Sequence, residues 1–357
     1  MLRVCHVSPT YFSPESVLGG GERFAEELAR AMAERADVKL VSFGPRGLRE
    51  RLAPRCERVV LRSRTRDRMA PFSWGLFREL READVIHCHQ YFTLPTFLSA
   101  LSGCLRRRPV FVSDLGGGGW TPGYQIDQSR WIAAHLPISE YAARSLPGRH
   151  RRHRVIWGGV DPARYPGREE LVHDGSAVFL GRVLPHKGIH FLIEGLPPGV
   201  PLHVIGPQTD PAYAARLREL ARGREVHFHG ALSDGEVIDR LGRAMALVHP
   251  TPVDAAGSAG ANELFGLALV EAMARHCPVI ASDAASLPEI VEPERSGLLV
   301  PPNDPAAIGR ALSRLRGEPA LWRALAAGAR RRVEERFTWA RVVDRCLEAY
   351  REMGACS

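Results

Sequence analysis

Two glutamates, Glu263 and Glu271, stand on either side of a Phe-Gly step in the stretch "ANELFGLALVEAMARHCPVIASD". A carboxylate accepts hydrogen bonds from hydroxyl groups, so such a pair suits a ligand rich in them. A helix starting near Gly266 and running through Leu269, Ala272 and Met273 puts Glu263 just before its first turn and Glu271 two turns in. Both then reach one extended ligand. The amides around Phe265, Gly266 and Leu267 have no acceptor inside such a helix, and the helix dipole adds to them; together they suit a phosphate. Taken alone, the glutamate pair is a weak sign, because charged chains contain such pairs as solvated side chains.

Two other stretches carry chemistry-bearing residues. "VFVSDLGGGGW" sets Gly116, Gly117, Gly118 and Gly119 directly behind an apolar run. The dinucleotide pattern G-x-G-x-x-G is not met: counted from Gly116 it ends on Thr121, and from Gly117 on Pro122. Pro122 and Gly123 also stand where a helix would have to follow. "DVIHCH" ends on His87 and His89. These are expected to face opposite ways on a strand, one in the core and one towards the ligand, which makes them a poor metal pair. No Asp-x-Asp or His/Cys cluster in the sequence suggests a catalytic metal.

The elements that must position these residues follow one rhythm, a short apolar run, a turn, then a helical segment. In the first half the runs are "LRVCHVS", "VKLVSF", "RVVLRS", "DVIHCH", "PVFVSD" and "HRVIWG". In the second they are "SAVFLG", "PLHVIG", "EVHFHG", "ALVHP", "PVIASD" and "GLLVP". Near-continuous apolar strands alternating with helices imply parallel sheets covered on both faces. The expected fold class is α/β, with two doubly wound Rossmann-like domains facing a central cleft and ligands at the carboxyl ends of the strands. The first would span 1–160, completed by a last helix over about 338–357; the second would span 161–337. "GGVDPARYPGRE", near 158–169, reads as the linker. Phe24, Leu28 and Met32 mark one stripe of a helix in "GERFAEELARAMAER".

A chain of 357 residues with 45% hydrophobic and 25% charged residues can bury two domain cores. The seven cysteines are scattered and form no C-x-x-C pair, which favours a reduced compartment over a disulfide framework or a zinc site. The N-terminus reads as a strand rather than a signal peptide. The longest mostly apolar stretch, "FTLPTFLSALSGCL", is too short to span a bilayer. The net charge of +8 is uneven: residues 1–160 hold 25 Lys and Arg against 15 Asp and Glu, and the remainder 23 against 25. Seven arginines, Arg51, Arg55, Arg58, Arg62, Arg64, Arg66 and Arg68, precede the apolar "MAPFSWGLF". This run reads either as an anionic-membrane contact or as a solvated Arg-rich loop. No nucleic-acid motif accompanies it. The expected location is cytoplasmic, with a peripheral place at the inner face of the membrane under the first reading.

Joined to its Phe-Gly step and Ala-Met helix, the glutamate stretch resembles retaining glycosyltransferases of family 4, which have the GT-B fold. Further stretches match in the family's order and cover nearly the whole chain. "GGGERFAEELARAMA" is similar to its N-terminal Gly-Gly-x-Glu-Arg loop and helix, and "DVIHCH" to its Asp-Val-x-His-x-His strand. "RVIWGGVDPARY" stands where it has an Asn-Gly-Val-Asp turn, with Gly158 replacing Asn. "FLGRVLPHKGI" resembles its Gly-Arg-x5-Lys-Gly phosphate loop, and "LPEIVEPERSGLLVPPNDP" its C-terminal hallmark.

The resemblance implies a metal-independent, retaining, hexosyltransferase-like enzyme with no cofactor. It would move a sugar from a nucleotide diphosphate donor to a carbohydrate, lipid-linked or small-molecule acceptor. Arg182 and Lys187 would neutralise the departing diphosphate; without the resemblance they read as surface charges. Glu263 would hold the donor sugar and Glu271 the ribose hydroxyls. Phe265, Gly266 and Leu267 would offer backbone amides, as would Gly20 and Gly21 from the first domain, which otherwise form an ordinary tight turn. Glu289 reads as structural. Where the family has a histidine over the donor sugar, this chain has Ser113 and Asp114. Asp114, or the amides of Leu115, Gly116, Gly117 and Gly118, take over that contact with sugar or acceptor, or the loop simply packs against another backbone. The missing histidine also admits a catalytically silent nucleotide-binding subunit, and the fold admits a nucleotide-sugar epimerase. The failed fingerprint disfavours an oxidoreductase.

Overall fold

The computed structural model describes residues 1–11, 20–63, 65, 67, 69–116, 119–149, 152–168, 170–254 and 263–354. The chain divides into two compact units, Met1–Gly158 with Trp339–Ser357, and Gly159–Thr338.

The first unit holds β1 (Arg3–Tyr11), β2 (Asp37–Gly44), β3 (Leu48–Ala53), β4 (Cys56–Arg62), β5 (Val85–His89), β6 (Val110–Ser113) and β7 (Ala134–His135). They lie in the order β3-β4-β2-β1-β5-β6-β7. All pairings are parallel except β3 with β4. Apart from β3 this is the doubly wound order, with its switch point between β1 and β5. The helix Gly20–Met32 buries Phe24, Leu28 and Met32, the stripe visible in the sequence. The helix Trp339–Met353 belongs to this unit, with Trp339 edge-on to Phe24 at 5.2 Å and Tyr350 packed 4.8 Å from Phe111.

The second unit holds β8 (Ala177–Leu180), β9 (Leu202–Ile205), β10 (Val226–Gly230), β11 (Ala246–His249), β12 (Val279–Ser282) and β13 (Gly297–Val300). Their order is β10-β9-β8-β11-β12-β13, all parallel, with the switch point between β8 and β11. Every residue of β9, β11 and β12 is buried, as strands covered on both faces require. The core is anchored by Trp322, whose indole N–H donates to the Met245 carbonyl at 2.7 Å.

Three strand assignments differ from the sequence expectation. β3, "LRERLA", is an antiparallel edge whose charged residues suit a strand paired on one side only. β7 is two residues long and carries no periodicity to read. "HRVIWG" is not a strand: it leans on β7 through His153 but forms only an isolated bridge there.

Candidate functional site

In the second unit the residues singled out from the sequence gather at the switch point. The chain leaves β8 through Gly181 and Arg182, then makes a 3-10 turn over Pro185–Lys187. Gly188 follows at φ 68 and starts the helix Ile189–Glu194. A Cβ on Gly188 would lie 1.9 Å from the Pro250 carbonyl oxygen, so only glycine lets this turn press against the end of β11. That contact sets Lys187 beside His249, the last residue of β11.

Both side chains meet on Glu263. Lys187 Nζ and His249 Nε2 each donate to Glu263 Oε2 at 2.6 Å. Glu263 is buried, its side chain 10% exposed. Burial works to raise the Glu263 pKa, but Lys187 and then His249 outweigh it and hold the carboxyl well below the usual range. Glu263 is therefore ionised. Because a carboxylate only accepts, His249 carries its proton on Nε2. Its Nδ1 is buried with no partner among the described residues, as is Thr251 Oγ1 two residues on. Ser286 Oγ donates to the carbonyls of Glu263 (2.9 Å) and Phe265 (3.1 Å), pinning the backbone ahead of the next helix.

That helix is Leu267–Ala274, with Gly266 at φ 97 as its N-cap. Phe265 is a core side chain, edge-on to Phe337 at 5.8 Å, so only its main chain can serve a ligand. The first amides of the helix lack intrahelical acceptors. Glu271 is buried in its second turn. Arg182 is exposed and makes no hydrogen bond or ion pair among the described residues. Glu289 lies in the short helix Leu287–Ile290, where its carbonyl accepts from Arg332 at 2.9 Å.

In the first unit Gly20 and Gly21 form the opening turn of the helix Gly20–Met32 rather than a tight turn before it. A Cβ on Gly21 would sit 3.6 Å from Leu115, so the helix start and the loop after β6 adjoin. Asp114 accepts from the Gly116 amide at 3.2 Å. Desolvation pushes its carboxyl above the ordinary value and outweighs that hydrogen bond. The Gly116 carbonyl accepts from Gln90 Nε2 at 2.6 Å. Gly117 and Gly118 lie outside the described residues. Gly119 packs tightly, since a Cβ there would lie 2.6 Å from Phe92 Cβ.

Ser113 points into the core. It is fully buried, and its hydroxyl donates to the Leu136 carbonyl at 2.8 Å. His87 Nε2, 2.9 Å away, must then donate to Ser113 Oγ, so His87 Nδ1 accepts from the Tyr350 hydroxyl at 2.7 Å.

The expectation for His87 and His89 also needs correction. Residues two apart in a strand share a face, and both are buried, with ring centroids 4.7 Å apart. His6 completes the group, its Nδ1 2.9 Å from His89 Nε2 and its Nε2 3.5 Å from Met32 Sδ. Ligating atoms of these three lie within 4.8 Å of one another, close enough for one metal. His87, however, already uses both ring nitrogens. The trio reads as a stack of neutral imidazoles: burial drives the His6 pKa down to about 3 and holds His87 and His89 well below their ordinary value.

The Arg51–Arg68 run is less open than its composition suggests. Arg58 pairs with Glu26 and, at 2.6 Å, with Glu50, while Arg55 donates to the carbonyls of Ala33 and Glu34. Arg51 and Arg62 are exposed; Arg64, Arg66 and Arg68 lie outside the described residues. Trp74 is 77% exposed. No helix among the described residues is long and apolar enough to cross a membrane.

The family described as "Glycosyl transferases group 1" matches residues 170–332, and the one described as "Glycosyltransferase Family 4" matches residues 18–164. Glycogen synthase of Mycobacterium tuberculosis is 30% identical over 205 residues, covering 55% of this chain and 47% of that protein. The chain thus spans about half the length of this relative. Alpha-maltose-1-phosphate synthase of Mycolicibacterium smegmatis is 26% identical, covering 99% of this chain and 100% of that protein. The crystal structure of Anabaena HepE in complex with UDP and glucose matches with a TM-score of 0.76 at 17% identity, over 98% of this chain and 100% of that one.

Proposed function

We infer the reaction from the premise that this chain is a group 1 glycosyltransferase with two Rossmann-like domains of the GT-B type. The proposed reaction moves a sugar from a nucleotide diphosphate donor to an acceptor hydroxyl with retention of anomeric configuration. The observation that carries it is the meeting of Lys187, His249 and Glu263 beside the helix start at Gly266, at the switch point of the second sheet.

Each group has a chemical part. The diphosphate lies against the first amides of the helix Leu267–Ala274, with Lys187 and the exposed Arg182 as its cations. Negative charge grows on the leaving phosphate in the transition state, so fixed cations there lower the barrier. The Glu263 carboxylate accepts hydrogen bonds from the sugar hydroxyls, and Glu271 from those of the ribose. The bond from the anomeric carbon to the phosphate oxygen breaks, and a bond from that carbon to the acceptor oxygen forms on the same face. The acceptor proton passes to the departing phosphate. No protein nucleophile is assigned, and charge neutralisation is assigned to Arg182 and Lys187 rather than to a metal ion.

In the first unit, Gly20, Gly21 and the loop at Asp114 and Leu115 are proposed to serve the diphosphate, sugar and acceptor. Arg51, Arg62 and Trp74 support a peripheral contact with anionic lipid, which would suit a lipid-linked acceptor. HepE was solved with UDP and glucose, which supports starting a donor panel with UDP-glucose. The test is that panel with a panel of sugar acceptors, the product's anomeric configuration being read by proton NMR. Retention is expected; an inverted product overturns the mechanism. A second reading, a nucleotide-binding subunit without turnover, is favoured only by Asp114 standing where the resemblance has histidine. Nucleotide binding without release under any acceptor condition would support it.

A further inference from the structure

We propose that His249 is a positioning residue for Glu263, holding the carboxylate in place when Lys187 turns to the donor diphosphate. This rests on the roles proposed above for Lys187 and Glu263. As the structure stands, Glu263 Oε2 accepts from both Lys187 and His249. An arriving diphosphate competes for the Lys187 ammonium, whose flexible stem lets it move. Ser286 holds only the main chain here, at the carbonyls of Glu263 and Phe265, so the carboxylate needs a side-chain donor to stay in place when the ammonium leaves. A buried carboxylate that loses a partner is costly unless another donor stays.

His249 is the donor that stays. It ends a fully buried strand, its side chain is 4% exposed, and its ring lies parallel to Phe179 at 6.3 Å. With the proton fixed on Nε2 by the carboxylate, Nδ1 has no partner among the described residues, and the bond to Glu263 is the one hydrogen bond of the ring there. One N–H of fixed direction therefore sets which Glu263 lone pairs remain for sugar hydroxyls. Among the described residues His249 meets the charge of Glu263 and, across it, that of Lys187, with Arg182 and the half-buried His186 on the turn that carries Lys187. None of these can replace a donor on the β11 side.

The test compares binding of a diphosphate with binding of the matching diphosphate sugar, by calorimetry. The probes are UDP with UDP-glucose, ADP with ADP-glucose and GDP with GDP-mannose, using whichever pair the wild type binds best. His249→Leu should reduce the preference for the sugar form by about ten- to a hundredfold, the range of one hydrogen bond to a charged group, while binding of the bare diphosphate changes little. His249→Gln, which keeps an N–H near the Nε2 position, should restore most of that preference. Glu263→Gln combined with His249→Leu should cost no more than Glu263→Gln alone, since both act through one contact. Equal weakening of diphosphate and diphosphate sugar, no rescue by His249→Gln, or additive losses would each overturn the role of His249. A wild-type chain that binds none of the six probes would instead overturn the donor-site reading, and this inference with it.

Discussion

Lys187 Nζ lies 2.6 Å from Glu263 Oε2, so the cation proposed for the diphosphate and the carboxylate proposed for the sugar are each other's partners. The pair is mutually satisfied at the switch point of the second sheet. On the proposed reading, donor binding would exchange one set of charge contacts for another rather than add charge to an empty site.

Breaking that pair from the cation side should destabilise the fold. Lys187→Met leaves the buried Glu263 with His249 alone. The expected loss is about 2–3 kcal/mol, below the 3–5 of a fully buried pair because one donor remains. Urea unfolding checks it, and the double variant Lys187→Met/Glu263→Gln should recover much of the loss.

Ser113→Ala separates a structural hydroxyl from a ligand contact. It removes the acceptor of His87 Nε2–H and leaves the Leu136 carbonyl unpaired, at a cost of about 1–3 kcal/mol. The thermal midpoint should fall while the donor KM stays unchanged. A raised KM with unchanged stability would place Ser113 at the ligand after all.

The buried histidines predict acid sensitivity. The folded pKa of His6 is lowered to about 3, and those of His87 and His89 lie well below ordinary. The unfolded state then binds more protons below about pH 6.5, and stability falls as pH drops from there towards the folded values. Each histidine should remove about 1.4 kcal/mol per pH unit in that window. Urea midpoints at pH 7.0, 6.0 and 5.0 measure the slope, and His6→Gln should flatten it by about one proton.

Gly188→Ala tests the turn that carries Lys187. The new Cβ meets the Pro250 carbonyl at 1.9 Å on a backbone with φ 68. Residual fold stability should drop by more than the roughly 1–3 kcal/mol of left-handed strain alone. Donor binding should weaken with it, which calorimetry on the folded fraction would show.

The parallel strands of both units and the helix start at Gly266 were legible because apolar runs and a Phe-Gly step carry their own pattern. β3 escaped because an edge strand may be charged, and β7 because two residues hold no period. Glu263 and Lys187 could be singled out through the resemblance, but not their contact, which spans 76 residues of sequence. Nothing in the sequence marks His249: a lone histidine ending an apolar strand looks like a core residue until the fold brings Glu263 onto it. The pairings of His89 with His6 and of His87 with Ser113 were hidden for the same reason, because strand neighbours are set by sheet order rather than by spacing.

The central claim is that Lys187 and Glu263 form the donor site of a glycosyltransferase. It is tested most directly by release of nucleotide diphosphate from the preferred donor and acceptor, in wild type, Lys187→Ala and Glu263→Ala, with folding checked by circular dichroism. Wild type should turn over, and each folded variant should lose at least about a hundredfold in kcat/KM, the scale of removing one preorganised charge from a transition state. Turnover in both folded variants at the wild-type rate would contradict the site.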